Sequence, residues 1–243
     1  MGKLHNRIAI VSGASGGIGL GIAKTYAKQG AKVCLAARNV DALEAGVAEI
    51  RDAGGDAIAV PMDVTCEADV VEAFRTTMKT WGRIDVAVNN AGIAGGGPTE
   101  DLELATWRRV IDVNVTGVFL CCREALRHMI PHRRGRIINI GSVAAKVPRP
   151  ASAPYATSKF ALDGLTRSVA LDARPHGIAV SVLHPGNTAT AMLVGVEERA
   201  EHEGYMQPED VAEVAVTMAS LPDSINFLES VVLPITMPLI GRG

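Results

Sequence analysis

Tyr155 and Lys159 stand four residues apart, a spacing that puts both side chains on one face of a helix. Ser142 lies thirteen residues upstream of Tyr155, just after the apolar run Arg136–Ile140, which reads as a buried strand. A serine at a strand end and a Tyr/Lys pair at the start of the next helix converge on one cleft. The chemistry open to them is proton transfer. A free phenol has a pKa of about 10 and is a poor base near neutrality. An ammonium about 4 Å away, at an effective dielectric near 20, favours the phenolate by roughly 4 kcal/mol, or about 3 pH units before desolvation takes some back. The expectation is a Tyr155 of lowered pKa, suited to general acid–base work. A surface helix with an incidental Tyr and Lys has the same spacing, so the surrounding elements must decide.

Those elements alternate. Short apolar runs at Arg7–Ser12, Lys32–Ala37, Ala57–Val60, Asp85–Val88, Arg136–Ile140, Ala179–Leu183 and Ser230–Leu233 read as strands. Helical patterns fall between them: to Gln29 with Gly30 as cap, Val40–Ala53, Glu67–Trp81, about Leu102 to Ile130, Tyr155–Arg174 and Pro208–Leu221. Strands alternating with helices of this length imply an α/β fold, a doubly wound parallel sheet with ligands at the strand C-termini. Asp63, Asn90 and Gly92 fall at that edge, although Asn89-Asn90 by itself reads equally as turn chemistry. The first strand runs into Gly13-Ala-Ser-Gly-Gly-Ile-Gly19, a G-x-x-x-G-x-G turn opening a helix, the context in which N-terminal amides hold a phosphate. The same residues contain G-x-S-x-G around Ser15, the nucleophile elbow of a hydrolase. Only one short strand precedes that serine, and no HGGG-like segment accompanies it, so the elbow lacks its context. Asn114 inside the long helical pattern predicts a local kink or a polar task. Residues 187–206 mix apolar and acidic residues without a strand pattern and read as a mobile substrate lid.

Composition narrows the class. The 243 residues are 48% hydrophobic and 21% charged with net charge −2, which suits one globular domain over residues 1–243 and gives no reason to expect nucleic acid. The basic cluster Arg127–Arg136 is expected to dress a helix C-terminus. The cysteines Cys34, Cys66, Cys121 and Cys122 show no CxxC spacing, and reduced thiols in a cytoplasmic protein are the expectation. The N-terminal residues show no signal-peptide or myristoylation pattern, and no apolar run is long enough to span a bilayer. His128 and His132 have zinc-helix spacing, but Pro131 interrupts the helix and no H-E-x-x-H is present, so no metal is expected.

Taken in order, Ser12–Gly19, Asn89-Asn-Ala-Gly92, Ser142, Tyr155/Lys159 and Pro185-Gly-Asn-Thr-Ala-Thr190 resemble the motifs of the short-chain dehydrogenase/reductase family in its compact, single-domain form, across about Leu4 to Leu233. The resemblance implies a Rossmann-type, seven-stranded parallel sheet with helices on both faces. It implies Asn114, Ser142, Tyr155 and Lys159 as the catalytic four. It also implies a nicotinamide dinucleotide held by Gly13, Ser15, Gly16, Gly17, Ile18 and Gly19, with Arg38 and Asn39 at the adenosine ribose. Asp63 and Val64 would meet the adenine, with Asn90, Ala91 and Gly92 at mid-sheet and Pro185, Gly186, Thr188 and Thr190 at the nicotinamide side. In that scheme Lys159 holds the nicotinamide ribose, Tyr155 exchanges a proton with the substrate oxygen, Ser142 hydrogen-bonds the same oxygen, and Asn114 positions a water leading from Lys159.

Two features depart from the pattern. The chain ends Leu233-Pro-Ile-Thr-Met-Pro-Leu-Ile-Gly-Arg-Gly243 rather than in Asp-Gly-Gly, which broadens the substrate expectation towards hydroxy acids and 3-oxoacyl compounds beside simple carbonyls. The second strand ends without an acid, and Arg38 offers a guanidinium there, so NADP(H) is expected over NAD(H), tempered by Gly16 where phosphate-preferring relatives carry a cation. Surplus apolar positions on the helices from Leu102 and Tyr155 (Val113, Val115, Val118, Phe119, Leu120, Phe160, Leu162, Leu165) suggest pairing of these helices, and the resemblance implies a homotetramer, or else a homodimer. A non-catalytic dinucleotide-binding protein would be expected to lack one of Ser142, Tyr155 and Lys159; all three are present.

Overall fold

Strand β1 (Ile8–Ser12) is buried at every position, as a central parallel strand covered on both faces must be. In the computed structural model, which describes residues 2–193 and 202–239, β1 lies in a seven-stranded sheet. The other strands are β2 (Lys32–Ala37), β3 (Asp56–Pro61), β4 (Val86–Asn89), β5 (Gly135–Ile140), β6 (Ile178–Pro185) and β7 (Glu229–Val232). The order is β3-β2-β1-β4-β5-β6-β7 and every pairing is parallel. The sequence direction reverses between β1 and β4. That is the switch point where the crossover connections part to opposite sides and leave a crevice at the strand C-termini.

The strand period of two sends Ala9 and Val11 to one face and Ile10 to the other. On the first face pack α1 (Gly17–Lys28), α2 (Val40–Asp52) and α7 (Pro208–Ser220), through Ile22, Val47 and Ala215 among others. On the second pack α3 (Glu67–Trp81), α5 (Gly117–Met129) and α6 (Ala153–Ala173), through Phe74, Cys121 and Leu162. The expected doubly wound sheet is therefore the observed one.

Several boundaries differ for physical reasons. The pattern read as one helix from Leu102 to Ile130 is divided into α4 (Leu104–Ile111), a π-helical turn at Asp112–Thr116 and α5. The interruption expected at Asn114 is this π turn, which turns that side chain fully inward. Helix α6 begins two residues before Tyr155, because Pro154 fits a first turn whose N–H groups have no intrahelical partner. Asn89 belongs to β4 rather than to a turn. Its Nδ2 donates to Asn139 Oδ1 at 2.8 Å, and Asn139 Nδ2 donates to Thr166 Oγ1 at 2.9 Å, a buried amide relay from β4 through β5 to α6.

The basic cluster does more than dress one helix end. Arg136 points inward from β5, 3% exposed, and donates to the carbonyls of Leu221, Pro222 and Ile225 just beyond α7. Of the eight apolar positions expected to be in surplus, Val118, Leu120 and Leu162 are core, and Phe119 and Phe160 are exposed. Of the stretch read as a lid, residues 194–201 lie outside the described residues; its flanks are joined where Thr188 bridges Met206. Among the described residues no helix is long and apolar enough to cross a membrane. The four cysteines are free. Burial pushes the thiols of Cys34 and Cys122 up to about 12, which removes them from nucleophilic chemistry near neutrality.

Candidate active site

The glycine turn is built from the C-terminal ends of β1 and β4. Ser12 Oγ accepts the backbone N–H of Asn90 at 3.0 Å and of Ala91 at 3.1 Å, and Asn90 Nδ2 donates to the carbonyls of Ser12 and Gly13, both at 3.1 Å. Asn90 thus stitches the two strands at the switch point. Gly13 turns at φ 64°, and a Cβ there would stand 2.8 Å from Ala91 Cα. Helix α1 then starts with no side-chain cap and no acid in its first turn, leaving its N–H groups and positive dipole end for an anion.

A cavity of about 480 Å³ opens over this turn, lined by Gly13, Ser15 to Ile18, Arg38, Asn39, Asp63, Val64, Asn90 to Gly92 and Thr190. Most residues expected to hold a dinucleotide therefore meet in one place, and a backbone cradle beside an uncapped helix end fits a pyrophosphate. Gly19 does not line the cavity; it lies inside α1, where a Cβ would stand 2.4 Å from both Asn90 Nδ2 and the Gly13 carbonyl oxygen. Asn39 Oδ1 accepts from Ala42 N–H as the N-cap of α2. Asp63 Oδ1 accepts from the backbone N–H and hydroxyl of Thr65 at 2.9 and 2.7 Å. Those bonds, with a smaller contribution from Arg38, hold its carboxyl below the usual range. Ser15 lines the same cavity, and none of the described residues lining it is a histidine that could activate a nucleophile.

A second cavity, of about 260 Å³, adjoins the first; Ile18, Thr190 and Met192 line both. Its walls include Ser142, Tyr155, Pro185, Gly186 and Thr188, together with Val143, Val147, Met192 and Met237. Ser142 Oγ accepts from Ala144 N–H at 3.1 Å, which leaves its proton for the cavity side. Lys159 and Asn114 line neither cavity. Lys159 is 5% exposed, its Nζ donating to the Ile140 carbonyl at 2.9 Å and lying 5.6 Å from the centre of the Tyr155 ring. Asn114 holds the backbone of Ile93 in both directions, at 2.8 and 3.0 Å, and donates to Ser158 Oγ at 3.0 Å. Gly92, which lines the larger cavity, stands next to both groups: a Cβ there would lie 3.4 Å from Asn114 Oδ1 and 3.7 Å from Lys159 Nζ, ordinary contact distances.

The electrostatics correct one expectation. Tyr155, half-buried, has its pKa raised by burial, with the hydrogen-bonded Ser142 hydroxyl pulling the other way. Lys159 is itself pushed down to about 8 by burial. The sequence argument placed the ammonium at contact and left it solvated. In the fold both groups are desolvated, and burial is the largest influence on the Tyr155 phenol.

Residues 7–201 match the sequence profile described as short chain dehydrogenase. The chain belongs to the short-chain dehydrogenase family. A 3-oxoacyl-[acyl-carrier-protein] reductase from Synechocystis sp. is 38% identical over 228 residues, 91% of this chain and 92% of the relative. A 3beta-hydroxysteroid dehydrogenase from Mediterraneibacter gnavus is 40% identical over 193 residues, 79% of this chain and 70% of the relative. Among solved structures, a 3-ketoacyl-(acyl-carrier-protein) reductase from Brucella melitensis complexed with NADH matches with a TM-score of 0.87 and 32% identity, across 94% of this chain and 97% of that one. Short-chain dehydrogenases are oxidoreductases acting on CH–OH groups with NAD(H) or NADP(H), and this chain is one of them.

Other residues of the site escaped sequence reading. Met237 looked like part of an irregular tail. Arg149 carried no motif, yet it lines the smaller cavity and pairs with Glu203 at 2.5 Å. His184 announced itself only as the residue before the Pro185-Gly186 turn.

Proposed function

We propose that this short-chain dehydrogenase is an NADP(H)-preferring carbonyl reductase, interconverting a ketone or aldehyde with its alcohol. The observation that carries the reading is the adjacency of the two cavities: Tyr155 and Ser142 line a mostly apolar chamber that shares Ile18, Thr190 and Met192 with the glycine-turn cavity. A nicotinamide cofactor held by the glycine turn supplies the hydride. Tyr155 donates its phenolic proton to the substrate oxygen as charge builds there, and takes it back in the reverse direction. Ser142, its Oγ already accepting from Ala144, turns its O–H onto the same oxygen. Lys159, protonated for the most part at neutral pH and with its Nζ 5.6 Å from the centre of the Tyr155 ring, stabilises the phenolate left behind. Asn114 positions the Ile93 segment and Ser158, the residue before Lys159.

The preference for NADP(H) is supported by Arg38 at the open edge of the larger cavity and by the lack of an acid at the end of β2. A second reading, a 3-oxoacyl substrate, is supported by the apolar walls at Val143, Val147, Met192 and Met237 and by the name of the Synechocystis relative. Four free cysteines support a cytoplasmic setting, and exposed Phe119 and Phe160 support a homotetramer that buries them. Turnover of a carbonyl panel, including 3-oxoacyl thioesters, with NADPH and NADH tests the reading through the loss of reduced-nicotinamide absorbance. Reduction of at least one carbonyl faster with NADPH is expected. No turnover across the panel, or turnover that survives Tyr155→Phe, would defeat it. A monomer by light scattering at micromolar concentration would defeat the assembly.

A further inference from the structure

His184, in β6, is fully buried behind Ser142. Its Nδ1 accepts the backbone N–H of Ser142 at 3.1 Å and lies 2.9 Å from the Ser142 carbonyl oxygen. One ring nitrogen thus faces a donor and an acceptor of the same residue, and it can satisfy only one. Unprotonated, Nδ1 accepts from the N–H; protonated, it donates to the carbonyl. The glycine before Ser142 makes the approach possible, since a Cβ on Gly141 would stand 2.4 Å from Nδ1.

The far side of the ring selects the tautomer. Nε2 lies 3.0 Å from Asp163 Oδ1 of α6 and 4.0 Å from Glu229 Oε1 of β7. Neither atom is aligned for a hydrogen bond, but the carboxylate's charge beside the ring favours a proton on Nε2, which leaves Nδ1 free to accept from Ser142. Both acids are also held by Lys146: its Nζ pairs with Asp163 Oδ2 and lies 2.6 Å from Glu229 Oε1, while Arg167 pairs with Glu229 Oε2 at 2.7 Å. The three groups Asp163, His184 and Glu229 have the spacing of a metal site, but the Lys146 ammonium already bridges the two carboxylates. The cluster is better understood as a proton-sensitive brace.

We propose that His184 is a positioning residue for Ser142: neutral, it holds the Ser142 N–H and keeps the hydroxyl on the substrate oxygen, and protonated, it moves its hydrogen bond to the Ser142 carbonyl and withdraws that hydroxyl. The inference rests on the reading that Ser142 and Tyr155 carry the reaction. Burial holds the His184 pKa below its ordinary value; the Asp163 carboxylate opposes this and the Lys146 ammonium adds to it. Loss of activity is therefore expected on the acid side, below about pH 6.5.

Two variants separate bracing from packing. In His184→Asn the amide oxygen reaches the position of Nδ1 and accepts from Ser142 N–H without titrating. In His184→Gln the amide sits nearer Nε2 and leaves that N–H unbonded. Turnover from pH 5 to 8 and NADPH affinity by fluorescence are measured for both, beside the Ser142 amide shift by NMR in the cofactor-free protein. The wild type is expected to show an acid limb in kcat and a Ser142 amide shift that follows it. The Asn variant is expected to lose the limb and keep kcat within about threefold at pH 7.5, while Gln lowers kcat about tenfold or more with KM and cofactor affinity nearly unchanged, the size of one lost charge-stabilising contact. Equal losses in the two variants, a limb that persists in His184→Asn, or a Ser142 amide indifferent to pH would overturn the proposal while leaving the reductase reading intact. An active Tyr155→Phe would fell the reading itself, and the proposal with it.

Discussion

Replacing Lys159 by Met in the cofactor-free protein isolates the electrostatics that the fold imposes on the site. Lys159 is 5% exposed, and burial brings its pKa from 10.5 to about 8. That lowering is worth about 3 kcal/mol of destabilisation while the folded and unfolded chains both carry the charge. The substitution also costs something. The Ile140 carbonyl loses its donor, which is worth about 1–3 kcal/mol, so the two effects nearly cancel at pH 7. Their pH dependence does not cancel. Below pH 8 the penalty is constant. Between pH 8 and 10.5 the folded lysine sheds its proton before the unfolded one does, so stability rises with pH across that window. The lost hydrogen bond has no such dependence. Unfolding free energies of wild type and Lys159→Met, measured by urea titration at fixed protein concentration from pH 7 to 10.5, give a difference free of every other titration. Wild type should gain on the variant by up to about 3 kcal/mol over the window, or roughly 6–12 °C in Tm for a chain of this size. Parallel curves would refute the reasoning: the ammonium would then be solvated, or paired in a way that offsets its burial.

Tyr155→Phe should leave the fold and NADPH affinity unchanged and lower kcat by about 10²- to 10⁴-fold, measured in the steady state on the best carbonyl found. Arg38→Ala should weaken NADPH selectively, by about ten- to a hundred-fold in kcat/KM for the loss of one charge-assisted contact, with NADH little changed. A wild type that favours NADH would sink that expectation. Gly16→Arg should strengthen the preference for NADPH, because a Cβ at Gly16 meets nothing within 4 Å and its extended backbone suits any residue. Competitive binding of the two cofactors checks it. Arg136→Ala should destabilise by at least about 3 kcal/mol in denaturant melts, since the carbonyls of Leu221, Pro222 and Ile225 lose their donor in a part-buried setting.

The glycine turn, the alternation of strands and helices and the Tyr155/Lys159 spacing were all legible from sequence, because each is a local matter. A G-x-x-x-G-x-G run between a strand and a helix needs only backbone sterics, and a four-residue spacing needs only the pitch of α6. The alternation implied a doubly wound parallel sheet, but the β1–β4 switch point itself is set by the strand order of the assembled sheet. What the tertiary structure decided depends on partners distant in the chain. Asn89 became a strand residue because Asn139, fifty positions away, accepts its amide proton. Arg136 left its apparent cluster to bind carbonyls more than eighty positions on. Met237 came from the tail to wall the smaller cavity, and His184 reached Ser142 across forty-two residues. The reversal at Tyr155 has the same origin. Its spacing from Lys159 is written in the helix, but the dielectric between them belongs to the elements packed against α6. A sequence specifies which charges can meet; burial, which only the assembled chain creates, determines what that meeting is worth.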